Sequence, residues 1–119
     1  MRVLVVEDYA ELREMIEAYL SRRDHVVQTC ANGNDAVRIA ADFAPELVIM
    51  DYRLPDINGV AAGIEVRKAA PAARIVICSA SEREQFEASA ALAEHGFTYM
   101  DKAQFPAGLS QLLPQQSEA

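Results

Sequence analysis

Five side chains stand where their types could do chemistry together: Glu7, Asp8, Asp51, Ser79 and Lys102. Each lies just past a short apolar run. Val3–Val6 precedes Glu7-Asp8, Leu47–Met50 precedes Asp51, Arg74–Cys78 precedes Ser79, and Phe97–Met100 precedes Lys102. Three carboxylates gathered at one place repel, and they do not all ionise readily. A hard divalent cation removes that conflict. Magnesium takes oxygen ligands, keeps several waters, and is held by one or two carboxylates plus phosphate oxygens. An Asp beside such a metal can accept a phosphoryl group. A lysine would neutralise the transferred group, and a serine hydroxyl could hydrogen-bond one of its oxygens.

That chemistry requires the strand ends to converge. A fifth apolar run, His25–Thr29, completes a set of five. Several are nearly continuous aliphatic stretches, as in strands buried on both faces of a parallel sheet. Between them the period becomes helical. Leu12, Met15, Ile16, Tyr19 and Leu20 share one helix face, and Ala36, Ile39, Ala40 and Phe43 repeat the pattern after Gly33. A third helix is expected from Asn58 to about Ala70, stopped by Pro71, with Gly63 inside it for close packing. A fourth runs from Ser81, which forms a capping box with Glu84, to His95, with Gly96 as its stop. A short fifth helix is expected within Gln104–Leu113, crowded by Pro106 and Gly108 and ended by Pro114. Asp8 with Glu11 also reads as a capping box for the first helix.

Strands alternating with helices predict an α/β fold: a flavodoxin-like, doubly wound, five-stranded parallel sheet with helices on both faces. The expected strand order is 2-1-3-4-5. Ligands in such sheets sit beyond the carboxyl ends of the strands, at the switch point. There the strands ending near Glu7-Asp8, Asp51, Ser79 and Lys102 become neighbours. The expected domain spans residues 1–113, and residues 114–119 read as a polar tail or the start of a linker.

Composition narrows the function. The 119 residues suffice for one domain with its own core. Apolar residues make up 51% and charged residues 24%, as in soluble globular proteins. The net charge of −7 argues against direct nucleic-acid binding and against docking on an anionic membrane. No apolar run approaches a membrane span, and Val3–Val6 is too short for an export signal, so the expected compartment is the cytoplasm. Cys30 and Cys78 lack metal-ligand spacing and read as buried thiols.

The chain resembles a receiver domain of two-component response regulators. The resemblance rests on Val3-Leu4-Val5-Val6-Glu7-Asp8, on Asp51-Tyr52-Arg53-Leu54-Pro55-Asp56-Ile57-Asn58-Gly59 and on Tyr99-Met100-Asp101-Lys102, supported by Ala31-Asn32-Gly33 with Ala36. It implies that Asp51 is the phospho-acceptor. It implies that Glu7, Asp8, Asp51 and the backbone carbonyl of Arg53 hold Mg2+, with Mn2+ as a substitute. Ser79 matches the switch hydroxyl, Tyr99 the aromatic that reports its state, and Lys102 the phosphate-binding lysine. The implied donor is a histidine kinase or histidine phosphotransfer protein. The implied receiver of the signal is a downstream protein or output domain, and the chain would catalyse at most its own phosphorylation and slow dephosphorylation.

Four positions depart from the family pattern. Ala103 follows Lys102 where proline is usual, which raises the geometry of that peptide bond. Phe97 replaces a small residue and is expected to repack the end of the fourth helix. Arg53 puts a cation two residues after Asp51, where it is expected to slow loss of the phosphoryl group. The short fifth helix is expected to alter the surface through which many receivers dimerise. The alternative reading is a receiver-like protein-binding module that acts independently of phosphorylation. Enzymatic relatives of the fold fit less well. No glycine-rich turn for a dinucleotide follows the first strand, and Arg53 occupies the place where an aspartyl-phosphatase needs a second Asp.

Overall fold

A computed structural model describes residues 1–114; of the expected tail over residues 114–119, all but the first residue lies outside them. The chain alternates β1 (Arg2–Val6), α1 (Ala10–Ser21), β2 (Val26–Cys30), α2 (Gly33–Phe43), β3 (Leu47–Asp51), α3 (Gly59–Ala69), β4 (Arg74–Ser79), α4 (Glu82–His95) and β5 (Thr98–Asp101). All strand pairs are parallel, in the order β2-β1-β3-β4-β5. This is the flavodoxin-like arrangement expected from the alternation. Asp51 and Ser79 are the last residues of their strands rather than the first beyond them. No helix among the described residues is long and apolar enough to cross a membrane.

The apolar runs are continuous because both sheet faces are covered. Alternate residues feed opposite clusters. Leu4, Val6, Val48, Met50, Ile75 and Ile77 pack with Ala36, Ala40, Ala62 and Val66 under α2 and α3. Val3, Val5, Leu47, Ile49, Val76 and Cys78 pack with Ile16 and Leu20 of α1. Met15, placed on the inner face of α1 by its spacing, is 39% exposed and lies at the edge of that stripe. Cys30 and Cys78 are buried free thiols, as expected.

Helix ends follow the sequence with instructive exceptions. Ser81 caps α4 by accepting from the Glu84 amide at 3.4 Å, and Gly96 ends it in the left-handed region. The return half of that capping box is missing, because the Glu84 carboxylate is bonded to Arg53. The Asp8–Glu11 box does not form. The N-cap of α1 is Tyr9, with no side-chain cap, and the Asp8 carboxylate belongs to an acidic cluster instead. Gly63 does permit close packing: a Cβ there would lie 3.1 Å from the Phe97 ring and 3.2 Å from Ile75. Phe97 fills the core under α3, stacked on His95, with the Arg67 guanidinium over its ring.

The expected fifth helix is replaced by two 3-10 segments, Lys102–Gln104 and Ala107–Leu112. Pro106 lacks an amide proton and Gly108 favours no helix, so an α-helical ladder does not propagate. A 3-10 turn places i and i+3 in line. That carries both Leu109 and Leu112 into the α1-side core.

One glycine is required by β3 itself. A Cβ on Gly59 would fall on the carbonyl oxygen of Asp51 and 2.9 Å from Tyr52 Cα. The Gly59 amide also donates to the Tyr52 carbonyl at 2.7 Å, which fixes that approach. Gly59→Ala is expected to cost about 1–3 kcal/mol or more by overpacking. Urea denaturation measures it, and a loss below about 0.5 kcal/mol, the level of an ordinary surface change, would contradict this packing.

Candidate functional site

The centre of the sheet delivers Asp51. Every residue of β3 is buried, so its last side chain is set by core packing on both faces. Asp51 is 5% exposed. Its neighbour β1 delivers Glu7, 3% exposed, whose amide donates to the Cys30 carbonyl of β2 at 3.0 Å. Asp8 follows and is exposed. Carboxylate oxygens of Glu7, Asp8 and Asp51 lie within 4.8 Å of one another. Arg13 of α1 steadies this corner by donating to the carbonyls of Glu7 at 2.9 Å and Asp8 at 3.4 Å.

Lys102 closes the site from β5. Its ammonium lies 2.7 Å from Glu7 Oε1 and 3.0 Å from Asp51 Oδ1. The turn that carries it is capped by Asp101, whose Oδ1 accepts from the Ala103 amide at 2.8 Å. The Lys102–Ala103 peptide is trans; among the described residues only Phe105–Pro106 is cis. Alanine therefore serves in this turn without the costly cis form. Burial alone would disfavour the charge on Lys102, but the ion pairs outweigh it and raise its pKa above the ordinary value. Burial and the neighbouring Glu7 push Asp51 up to about 7, against the pull of Lys102.

Ser79 ends β4, beside Asp101 in the sheet register and one residue beyond the partner of Asp51. It is buried, and its hydroxyl lies 2.7 Å from the Tyr99 hydroxyl. It also donates to the Ser81 carbonyl at 3.2 Å. The structure thus joins Ser79 with Tyr99, and Lys102 with Glu7 and Asp51. Arg53 is connected to Asp51 through its backbone: its amide donates to Asp51 Oδ1 at 3.3 Å. Its side chain is drawn to α4, where Nε lies 2.8 Å from Glu84 Oε2. The Glu84 side chain is nearly buried while the Arg53 side chain is 81% exposed.

Some contributors escaped the sequence reading. Asp101 stood inside a quoted motif, and an Asp just before a turn is a readable cap signal. Arg13 gave no local signal, and Glu84 read only as the capping-box partner of Ser81, because the Arg53 side chain it binds comes from another element.

The comparisons with known proteins bear directly on this site. The response regulator receiver domain family matches residues 3–113. The chain belongs to that family. It is a receiver domain of the kind used in two-component systems. It is similar to the chemotaxis protein CheY of Thermotoga maritima, at 36% identity over 80 residues, 66% of this chain and 67% of that protein. It is also similar to a protein-glutamate methylesterase/protein-glutamine glutaminase of Methanococcoides burtonii, at 31% identity. That match covers 94% of this chain but only 32% of the enzyme. Among solved structures, the receiver domain of a sensor histidine kinase from Pseudomonas aeruginosa superposes with a TM-score of 0.81 at 28% identity. It covers 93% of this chain and 92% of that one, and it holds a magnesium ion in its active-site cleft.

The raised Asp51 pKa has a consequence for stability. A carboxyl whose folded pKa exceeds its unfolded value of 3.8 binds its proton more tightly in the native state. Stability then falls as pH rises from about 4 to about 7. In metal-free buffer with a chelator, Asp51→Asn is expected to melt higher than the wild type at pH 8. The gap should close toward pH 4. A gap that is independent of pH, or of the opposite sign, would contradict the assignment.

Proposed function

We propose that this receiver domain, residues 1–113, is a phosphorylation-activated switch in which Asp51 accepts the phosphoryl group. The observation that carries the reading is the junction of Asp51 with Glu7, Asp8 and Lys102 at the carboxyl ends of adjacent strands. A donor phosphohistidine on a kinase or phosphotransfer protein would be attacked by an Asp51 oxygen. A bond forms to phosphorus, the bond to the donor nitrogen breaks, and the histidine leaves.

The acidic cluster suits a hard divalent cation, because Lys102 contributes a single positive charge against three carboxylates. Glu7, Asp8, Asp51 and the Arg53 carbonyl would hold Mg2+, or Mn2+ in its place, and the bound ion would offset charge on the phosphoryl oxygens. Lys102 would exchange its carboxylate partners for a phosphoryl oxygen. Ser79 would turn its hydroxyl from Ser81 toward the same group, releasing Tyr99 from its present partner. The result is a shift between two surfaces of different affinity for a partner protein or output domain. The outer face of α4 belongs to that surface; it carries Phe86, 80% exposed. In this reading the domain catalyses its own phosphorylation and the slow loss of its own phosphoryl group.

Incubation with Mg2+ and acetyl phosphate or phosphoramidate should add the mass of one phosphoryl group. Asp51→Asn should abolish the gain, and no gain with any donor or kinase would overturn the reading. Arg53, anchored to Glu84 beside the acceptor, is expected to slow hydrolysis. Arg53→Asn should shorten the phosphoryl half-life, and an unchanged half-life would contradict that role.

A further inference from the structure

The loop between β3 and α3 carries Arg53, and its far half is anchored in an unexpected place. Asp56 Oδ1 accepts from the Gly33 amide at 2.9 Å, and Oδ2 accepts from the Asn34 amide at 2.8 Å. The carboxylate thus sits astride the first two amides of α2, an element more than twenty residues away in sequence. Asn32, the N-cap of α2, accepts from the third amide, of Asp35, at 2.8 Å. The open N-terminus of α2 is therefore satisfied partly by its own cap and partly by the acceptor loop. A carboxylate there also complements the helix dipole.

The anchor is braced by packing. A Cβ on Gly33 would lie 2.6 Å from the Ile57 side chain, so only glycine lets the loop come this near. Asp56 Oδ1 additionally accepts from the Ile57 amide at 2.9 Å. Leu54 is buried in the core between Arg53 and this anchor. At the near end, the Tyr52 amide donates to the Cys78 carbonyl at 2.8 Å and the Arg53 amide to Asp51. The segment from Asp51 to Gly59 is held at both ends, and the Asp56 carboxylate ties it to α2 by two charge-assisted hydrogen bonds.

We infer that Asp56 is a positioning residue, which fixes the acceptor loop on α2 so that the Arg53 carbonyl is presented for divalent-cation binding. This rests on the proposed role of that carbonyl. The Asp56 carboxylate bonds to the Gly33, Asn34 and Ile57 amides and would act only through the loop backbone. Without its carboxylate, the Gly33 and Asn34 amides turn to water and the loop loses its hold on α2. Supporting residues of this kind commonly change metal affinity by tenfold or more when removed.

The test is a Mg2+ titration of the apo protein, followed by amide chemical shifts and run beside thermal melts. Asp56→Ala should weaken Mg2+ by about tenfold, with the phosphoryl uptake rate at saturating Mg2+ near that of the wild type. Asp56→Asn keeps one acceptor oxygen and should fall between the two. Ile16→Val, in the core on the opposite face of the sheet, serves as a control for lost stability and should leave Mg2+ affinity unchanged. Asp56→Ala within twofold of wild type would overturn the inference, as would a control that loses as much affinity. A wild type without any saturable Mg2+ response would remove the cation site and this inference together. A wild type that binds Mg2+ but takes no phosphoryl group would sink only the switch reading.

Discussion

The Lys102 ammonium, set between Glu7 and Asp51, is the interaction on which the rest of the structure depends. Two buried carboxylates side by side are costly unless a cation faces them. One lysine makes that pair tolerable but does not exhaust it, since Asp8 adds a third carboxylate within reach. The site is therefore an acidic pocket stabilised enough to fold and still able to accept more positive charge. The core strands, the Asp101-capped turn and the glycine approach at Gly59 all serve to hold these groups in place. They come from β1, β3 and the end of β5, so the fold itself assembles the pocket.

The helices differ in how firmly they are bound to the sheet. α1, α2 and α3 press branched or small apolar residues into continuous cores. α4 buries only Glu84 and Ala88, and one of these is a carboxylate tied to Arg53. Its link to the β3–α3 loop thus includes an ion pair. An element with little apolar burial is suited to shift when local charge changes. Arg53 is a natural point of communication, because its backbone meets Asp51 while its side chain meets α4.

Much of this was legible in the sequence, for physical reasons that differ between residues. Buried parallel strands show themselves as unbroken aliphatic runs, so the strand order and the placing of Glu7, Asp51, Ser79 and Lys102 at adjacent ends could be read directly. Capping was half legible. Ser81 and Gly96 bound α4 as their types dictate, but the Glu84 carboxylate is taken by Arg53, and Asp8 stands in the acidic cluster while Tyr9 takes the N-cap position of α1. The segment after β5 was misjudged because leucines at i and i+3 fit an α-helix and a 3-10 turn alike, and Pro106 decides for the latter. The contacts of Asp56 with α2, of Arg13 with the Glu7 and Asp8 carbonyls and of Glu84 with Arg53 were opaque: they join parts of the chain that no spacing rule connects.

The central claim is that Asp51, and no other group in the pocket, carries the phosphoryl bond. Reduction of the phosphorylated protein with borohydride tests it most directly, because an acyl phosphate on aspartate is converted to homoserine at the site of attachment. Peptide sequencing by mass spectrometry should find homoserine at position 51, with Glu7, Asp8 and Ser79 unaltered. Conversion at another carboxylate, or a retained phosphate on a hydroxyl with Asp51 intact, would contradict the account.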